Sequence, residues 1–285
     1  MNKVLLAVLA TLVTIGPAPA AEFTGTLKAI KDRGAIVVGH REESRPFSFV
    51  DGGAPAGYSI DLCNRVVQSV KQTLGLADLE VQYVPLTAPE RMTAVGGGKV
   101  DLECGNSTIT LARMREVDFS NMIFITGASL LIKADSGING VGDLGGKAVG
   151  VAAGTTTEGA LQAKLKQALV DAKVVTVKDH DEGLAKLESG AIDAYAGDQI
   201  VLIGLGRNAT DPGKLMLAPE LFTYEPYGLM VRRNDADFRL VVNATLAQLY
   251  RSGEIGQIYN KWFGDWGGRP ARLLLAMFAL NALPE

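Results

Sequence analysis

MTAVGGGKVDLECGN, residues 92–106, aligns without gaps on LAKLESGAIDAYAGD, residues 184–198. This internal repeat predicts the fold. Each unit reads as a helix, a glycine stop, a strand that begins near an aspartate, and a polar residue after the strand. Ligands of open α/β sheets bind at the carboxyl ends of the strands, where Asn106 and Asp198 are expected. Two such units predict two similar lobes that face each other across a cleft. The alternative is a chance match between two copies of a common helix–strand pattern.

The rest of the chain alternates predicted strands and helices, which favours an α/β protein. Its 285 residues suffice for two lobes, and 47% of them are apolar, so each lobe can bury a core. Helices are predicted at residues 59–74 and 235–251, and a further one, after Thr155, carries Leu161, Leu165 and Leu169. Residues 227–231 read as a single strand. The net charge of −3 gives no reason to expect nucleic acid as a partner.

Residues 1–20 have the features of a cleaved signal peptide. Lys3 precedes an apolar run, residues 4–15, that is too short to span a bilayer, and Ala18-Pro19-Ala20 fits the small-residue rule for cleavage. A buried N-terminal helix is the alternative. We therefore expect a periplasmic mature chain without a lipid anchor, because no cysteine follows the run. The tail, residues 271–285, reads as a short apolar helix that packs on the body and does not insert into a membrane.

Cys63 and Cys104 are the only cysteines of the chain. Export would allow them to form one disulfide, closing a loop of about 40 residues, but two buried free thiols are an equal alternative. The sequence alone does not give the separation of their Cα atoms. Neither these cysteines nor His40 and His180 have the spacing of a metal site, so no metal or cofactor is predicted.

Two loop motifs lead to different predictions. Residues 140–145 match Gly-x-Gly-x-x-Gly, but a polar loop precedes them and a strand follows, so dinucleotide binding is not predicted. The stretch Thr155-Thr156-Thr157-Glu158 reads as a capping box that opens a helix, and the free backbone N–H groups there favour an anion. Simple capping explains the same residues, and both roles can hold. No nucleophile elbow or phosphate-binding loop points to an enzyme.

Three arginines lie near the predicted carboxyl ends of strands in the first half of the chain. Arg41 follows the first strand, Arg91 opens a helix, and Arg113 comes just after the first repeat unit. A planar guanidinium holds a carboxylate through two parallel hydrogen bonds. Three of them near one cleft suit a ligand with more than one carboxylate. For any single arginine, a solvated surface position is the alternative.

Short segments along the chain form a recognisable combination: IVVGHRE, PFSF, GYSIDL, LECGNST, TLARMREVDFS, LLIK, GKAVGV, GTTTE, KDH, LESG and KWF. With them, the chain resembles family 3 bacterial extracellular solute-binding proteins of polar amino-acid ABC transporters, and in particular the glutamate/aspartate-binding proteins, from about Leu27 to Trp266. The resemblance implies a periplasmic-binding-protein-like α/β fold, with two lobes, a hinge and a ligand cleft between the lobes. Lobe one would comprise residues 23–124 plus 222–270, and lobe two residues 125–221.

The resemblance also implies how the backbone end of an amino acid is held. Arg113, with Thr108, would bind the α-carboxylate. Asp198 would bind the α-ammonium group. The backbone and hydroxyls of Thr155 and Thr156 would approach from lobe two and complete the clamp.

The side-chain end of the ligand would be surrounded by Arg41, Arg91 and His180. Two positions depart from close relatives, which often carry serine where this chain has Ala88 and Asn106. Asn106 stays a predicted ligand contact, but the loss of hydroxyls at this end would relax the choice between acid and amide ligands.

Together these expectations describe a monomeric binding protein that captures L-glutamate or L-aspartate and delivers it to the membrane permease of an ABC transporter. A binding protein for glutamine, asparagine or another polar amino acid is the nearest alternative. An enzyme of the dehydratase type on the same fold is the alternative from another class. Such an enzyme needs a general acid and base in the cleft, and Glu103 and Glu158 are the nearest unassigned carboxylates.

Overall fold

A computed structural model describes residues 22–266 and 270–284; the predicted signal peptide, residues 1–20, lies outside the described residues. The helices are α1 (Gly25–Arg33), α2 (Tyr58–Leu74), α3 (Arg91–Gly96), α4 (Thr156–Gln167), α5 (His180–Ser189), α6 (Gln199–Arg207), α7 (Ala236–Ser252), α8 (Glu254–Phe263) and α9 (Arg272–Asn281). The strands are β1 (Ala35–His40), β2 (Glu43–Ser44), β3 (Ser48–Asp51), β4 (Ala54–Ala56), β5 (Glu80–Pro85), β6 (Leu102–Glu103), β7 (Val117–Phe119), β8 (Phe124–Thr126), β9 (Ala128–Lys133), β10 (Ala148–Ala152), β11 (Lys173–Val177), β12 (Ala194–Asp198), β13 (Leu215–Leu217), β14 (Glu225–Tyr227) and β15 (Met230–Arg232).

Within the described residues, two five-stranded sheets form the centres of two lobes. The sheet of lobe one has the order β5-β1-β6-β15-β7, and the sheet of lobe two has the order β11-β10-β12-β9-β13. In each sheet the first three strands are parallel and the fourth is antiparallel to its neighbour. The strand of each repeat unit, β6 or β12, takes the third place. The internal repeat therefore marks equivalent positions in two lobes of the same topology, as predicted.

The repeat units also share local contacts that hold each strand in place. Gly98 and Gly190, which align in the repeat, have φ angles of 75° and 76°, in the left-handed region that favours glycine. The aligned aspartates accept a backbone N–H from the adjacent strand. Asp101 accepts from Val37 at 2.8 Å, and Asp193 accepts from Ala148 at 2.8 Å. The same short motif thus fixes the register of β6 against β1 and of β12 against β10.

The chain passes between the lobes through a two-stranded connection. Strand β8 runs towards lobe two and strand β14 returns, and the two pair antiparallel from Phe124 opposite Tyr227 to Thr126 opposite Glu225. This pair is the hinge of the two-lobed fold. The predicted boundaries between the lobes lie close to these two strands: 124/125 falls within β8, and 221/222 falls just before β14. The exact division of the chain stays a prediction.

Two predicted elements differ from the structure. Leu169 was expected to face inward on a helix, but α4 ends at Gln167, and Leu169 has a left-handed φ of 55° and is 93% exposed. The strand expected at residues 227–231 is interrupted: Tyr227 is the last residue of β14, residues 228–229 belong to no strand, and β15 begins at Met230. Strand β14 pairs in the hinge, whereas β15 pairs in the sheet of lobe one. Hydropathy alone does not separate these two pairings, because both strands are buried.

A disulfide and a C-terminal helix complete lobe one. Cys63 on α2 is bonded to Cys104, which follows β6, so the helix is tied to the strand of the repeat unit. Closing this loop stabilises the fold by about 4 kcal/mol in the chain-entropy model. The apolar tail forms α9, as predicted, and Phe278 stacks on Tyr250 of α7 at 5.3 Å between ring centroids. In the part of the chain that the structure describes, no helix has both the length and the apolar character needed to cross a membrane.

Candidate ligand-binding site

A small cavity with a volume of about 20 Å³, roughly the room that one water molecule needs, lies between the two lobes, which approach each other closely. Its walls are built from residues at or just after the carboxyl ends of strands in both lobes. The lining residues are Arg41, Ser44, Ala88, Arg91, Asn106 and Thr108 from lobe one, and Ala152, Thr155, Thr156, Thr157, His180, Ala196, Gly197 and Asp198 from lobe two. The cavity therefore occupies the place that the strand order predicts for a ligand.

Two buried arginines of lobe one line the cavity with unused hydrogen-bond donors. Arg41 follows β1; its backbone N–H donates to Ser48 at 2.9 Å, and its guanidinium pairs with Glu43. Arg91 is the first residue of α3. Among the described residues, none accepts a hydrogen bond from Arg41 Nε and Nη1 or from Arg91 Nε. Burial and the charge of Arg113 lower the pKa of Arg91 to about 9. This end of the cavity therefore carries buried donors that no described protein group uses.

Arg113 lies beside the cavity and spans the two lobes. Its Nη1 donates to the backbone carbonyl of Thr108 at 2.9 Å, and its Nη2 lies 3.5 Å from the carbonyl of Gly154 in lobe two. Burial lowers the pKa of Arg113, and the charge of Glu225 opposes that effect. The guanidinium is therefore held near the cleft with its N–H groups directed at backbone oxygens.

The threonines of lobe two begin helix α4. The Thr155 hydroxyl donates to the Ala152 carbonyl at 2.8 Å, and its oxygen accepts from the backbone N–H of Glu158 at 3.2 Å. The Glu158 carboxylate accepts from the backbone N–H of Gly154 at 3.0 Å, one residue before the position expected for a capping box. The cap therefore holds the loop before α4 as well as the helix itself, and Thr155, Thr156 and Thr157 all line the cavity.

His180 reaches the cavity from the first turn of α5. Asp179 caps this helix by accepting the backbone N–H of Glu182 at 2.8 Å. The His180 Nδ1 atom is 2.8 Å from the hydroxyl of Tyr195. Burial, with a smaller contribution from Arg41, lowers the pKa of His180 to about 4, so the imidazole is neutral at pH 7.

Asp198 places a buried carboxylate at the end of β12. It accepts hydrogen bonds from the Tyr227 hydroxyl and, at 3.1 Å, from the Thr157 hydroxyl. Burial, and next the negative charge of Glu225, raise the pKa of Asp198 to about 6. A positive charge placed beside Asp198 would lower that pKa and keep the carboxylate ionised.

A model of the bacterial extracellular solute-binding proteins, family 3, matches residues 36–265. The chain belongs to this family. It is 41% identical over 259 residues to the L-glutamate/L-aspartate-binding protein of Pseudomonas aeruginosa. This alignment covers 90% of the chain and 85% of the relative. The chain is 35% identical over 268 residues to the glutamate/aspartate import solute-binding protein of Escherichia coli, with coverage of 92% and 89%. A glutamine-binding protein of a Bacillus subtilis ABC transporter is 30% identical over 244 residues, with coverage of 84% and 85%.

Solved structures give the same fold. An ancestral arginine-binding protein bound to glutamine matches with a TM-score of 0.73 at 30% identity, covering 81% of this chain and 99% of the other. The ancestral amino acid-binding protein AncCDT-1, described as a precursor of cyclohexadienyl dehydratase, matches with a TM-score of 0.73 at 31% identity, covering 84% and 100%. The two lobes of this solute-binding protein are therefore those of the periplasmic-binding-protein fold.

All the ligand contacts predicted from the sequence except Arg113 are among the residues that line the cavity of this solute-binding protein. Ala88 and Asn106, the two departures from close relatives, also line it. The individual role of each residue towards a ligand stays a prediction. Arg113 is not among the lining residues, and two of its guanidinium nitrogens meet the backbone oxygens of Thr108 and Gly154.

Sequence reasoning missed Glu225, which is almost completely buried on the hinge strand β14. Its Oε2 atom accepts from the hydroxyl of Thr108 at 2.6 Å and from the hydroxyl of Thr156 at 2.8 Å. The two hydroxyl oxygens are 3.3 Å apart. Nothing in the local sequence, Glu-Pro-Tyr, signals this contact, because it depends on where the hinge passes between the lobes.

The two carboxylates considered for an enzyme serve other purposes. Glu103 is fully buried and accepts from the Ser107 hydroxyl at 2.8 Å, and burial raises its pKa. Glu158 belongs to the cap of α4. Within the described part of the chain, neither is among the residues that line the cavity.

Proposed function

We propose that this solute-binding protein captures an acidic amino acid, L-glutamate or L-aspartate, in the periplasm and delivers it to the permease of an ABC transporter. The observation that carries the proposal is the set of unpaired guanidinium donors on Arg41 and Arg91 that line the cavity. Buried donors without a partner are costly, whereas a carboxylate between them forms charge-assisted hydrogen bonds. An acidic side chain supplies that carboxylate.

The opposite end of the cavity complements the rest of the ligand. Asp198 is a buried carboxylate that favours the α-ammonium group, and Arg113 and the threonines that begin α4 would hold the α-carboxylate. His180 is neutral at pH 7. Where Tyr195 donates to Nδ1, the Nε2–H is left to donate to an acidic side chain. The names of the Pseudomonas aeruginosa and Escherichia coli relatives support an acidic ligand.

The two-lobed form supports capture by closure of the hinge. The ligand would bind the arginines of lobe one first, and lobe two would then close over it. Since the ligand contacts both lobes only in the closed form, its affinity for that form drives closure. The permease would recognise the closed form.

An amide ligand is the second candidate, and one observation favours it. Ala88 and Asn106 line the cavity where close relatives often carry serine. Ala88 cannot donate to a ligand, and the side chain of Asn106 can both donate and accept, so it accommodates either an acid or an amide. Arg41 and Arg91 would still favour the acid.

Isothermal titration calorimetry on the mature protein tests the proposal. The protein, residues 21–285, is unfolded without reductant, dialysed to remove carried-over ligand and refolded. It is then titrated with glutamate, aspartate, glutamine and asparagine. We expect each acid to bind about 10- to 100-fold more tightly than its amide, because the amide replaces a charged hydrogen-bond acceptor. Equal affinity for acids and amides would contradict the acid assignment, and absence of binding by all four would contradict amino-acid capture.

A further inference from the structure

Glu225 occupies a position that contacts both lobes and belongs to the hinge. It lies on β14, opposite Thr126 of the other hinge strand. Thr108 of lobe one and Thr156 of lobe two donate their hydroxyl hydrogens to the same Glu225 oxygen. Each of these threonines also lines the cavity. Glu225 is not among the described residues that line the cavity, so its carboxylate lies behind the cavity wall, in contact with two hydroxyls of residues that do line it.

These hydrogen bonds determine what the hydroxyls can offer a ligand. A threonine hydroxyl has one hydrogen to donate and two lone pairs to accept with. With its hydrogen directed at Glu225, each hydroxyl has only acceptor capacity left for the cavity. The two hydroxyl oxygens are also 3.3 Å apart, so one hydrogen could lie between them. Such a hydrogen would still be used inside the trio of Glu225, Thr108 and Thr156 and would not be available to a ligand. Two acceptors side by side suit an ammonium group and disfavour a carboxylate.

The charges around the trio are consistent with this polarity. The charge of Glu225 is, after burial, the largest contribution that raises the pKa of Asp198, so the two carboxylates lie close enough to interact. Asp198 is itself held by the hydroxyls of Tyr227 and Thr157. A ligand cation placed here would be attracted by both carboxylates, and Arg113, whose charge interacts with both of them, offsets part of that attraction.

We propose that Glu225 is a positioning residue: it takes the hydroxyl hydrogens of Thr108 and Thr156 and so makes both oxygens acceptors for the α-ammonium group of the ligand. The proposal rests on the proposed capture of an amino acid. It reassigns two hydroxyls to the α-ammonium group: that of Thr108, which the family resemblance places with the α-carboxylate, and that of Thr156, one of the threonines that the proposed function places with the same carboxylate. Because the acceptors come from different lobes, the ammonium-binding arrangement is complete only when the cleft is closed.

A simpler role for Glu225 is electrostatic compensation of Arg113, whose pKa the Glu225 charge raises. The two roles predict different results for Glu225→Met. Methionine keeps roughly the size of the side chain, but its thioether sulfur is only a weak acceptor, so both threonines regain a hydrogen for the cavity. Under the positioning role, the variant binds ligands that carry an ammonium group more weakly. Under the electrostatic role, it binds any ligand whose carboxylate meets Arg113 more weakly.

The experiment compares glutamate with glutarate, which has the same two carboxylates but no ammonium group, on wild type and Glu225→Met. We expect Glu225→Met to weaken glutamate binding about 10- to 100-fold and to change glutarate binding less than about threefold. Equal losses for both ligands, or wild-type affinity for glutamate in the variant, would overturn the proposal. Circular dichroism and a thermal melt establish that the variant folds.

A double-mutant cycle gives an independent readout with glutamate alone. In a background of Thr108→Val and Thr156→Val, which keep the shape of the side chains but lack the hydroxyls, Glu225→Met should weaken glutamate binding less than about threefold. An undiminished cost there would mean that Glu225 does not act through the hydroxyls. If wild type prefers a different amino acid, the proposed acid preference fails, but the same cycle with that amino acid still tests Glu225, because every amino acid carries the α-ammonium group.

Discussion

The two repeat units end at equivalent places in their sheets but in opposite chemical surroundings. The unit of lobe one ends at Asn106, beside Arg41 and Arg91. The unit of lobe two ends at Asp198, among hydroxyl groups. Among the described residues that line the cavity, the only arginines come from lobe one, and lobe two contributes no lysine or arginine. The shared topology thus places two strand ends face to face, while the side chains make one wall cationic and the other rich in acceptors.

The largest expected effect comes from removing the cations of lobe one. Arg113→Ala should weaken binding of every amino acid at least about 100-fold, because a desolvated carboxylate loses its partner. Arg91→Ala should cause a similar loss for glutamate and aspartate and a much smaller one for glutamine and asparagine. Calorimetry with the four ligands measures both. An equal loss of acids and amides in Arg91→Ala would place Arg91 away from the side-chain end, and near-normal affinity in Arg113→Ala would remove Arg113 from the site.

The next effect concerns how closely the two walls approach. Gly154 of lobe two has a φ of 70°, and a Cβ there would lie 3.0–3.1 Å from atoms of Pro89 in lobe one, two of them backbone atoms. Gly154→Ala should therefore oppose closure and weaken every ligand about 10-fold or more, which titration measures, while small-angle scattering follows the ligand-induced compaction.

Gly146→Ala is the matched control for this substitution. Gly146 lies in lobe two and also has a φ of 70°, but a Cβ there meets nothing within 4 Å. It should carry the same backbone strain and keep wild-type affinity. Equal affinity losses in the two variants would attribute the effect to strain rather than to contact between the lobes.

A third effect comes from pH acting on the acceptor wall. Burial and Glu225 raise the pKa of Asp198 to about 6, and the proposed site binds ammonium through ionised Asp198. Below that pKa, Asp198 is neutral, so affinity should fall about 10-fold between pH 7 and pH 5. His180, whose pKa burial lowers to about 4, stays neutral across this interval. Titrations at pH 7, 6 and 5 measure the change. Asp198→Asn should bind more weakly and lose this dependence, and an equally steep dependence in that variant would assign it to another group.

The smallest effect distinguishes the aligned aspartates of the two units by stability. Asp101 is almost completely buried and also pairs with Arg33 and Arg232, whereas Asp193 is exposed. Urea unfolding should show a loss of about 3 kcal/mol for Asp101→Asn and of about 1 kcal/mol for Asp193→Asn, because breaking a buried ion pair costs more than weakening one exposed hydrogen bond. Equal losses would mean that the shared backbone hydrogen bond, and not the surrounding charge, determines the stability.

Much of the fold could be predicted from local patterns. The apolar spacing of α2, with Leu62, Val66 and Val70 fully buried, is visible as a period in the sequence. The repeat, with its paired glycines and aspartates, indicates two equivalent lobes. The misplaced Leu169 has the correct helical spacing, but the helix ends before reaching it. A periodic pattern shows which face is apolar, and only the packed structure shows where the helix stops.

The candidate site divides in the same way. The sequence by itself determined the types of residue that follow the strands: arginines in lobe one, and threonines, His180 and Asp198 in lobe two. These could be predicted because they belong to short motifs next to recognisable strands. Their meeting in one cavity depends on how the two sheets face each other.

Only the tertiary structure decided which distant groups pair. It joined Cys63 to Cys104, although the sequence left free thiols as an equal alternative. It placed Glu225 against Thr108 and Thr156, residues 117 and 69 positions away in the chain. The physical reason is that a hydrogen bond or a disulfide depends on separation in space to within about an ångström. Hydropathy and spacing report which residues are buried and on which face, but the passage of the hinge between the lobes sets those separations.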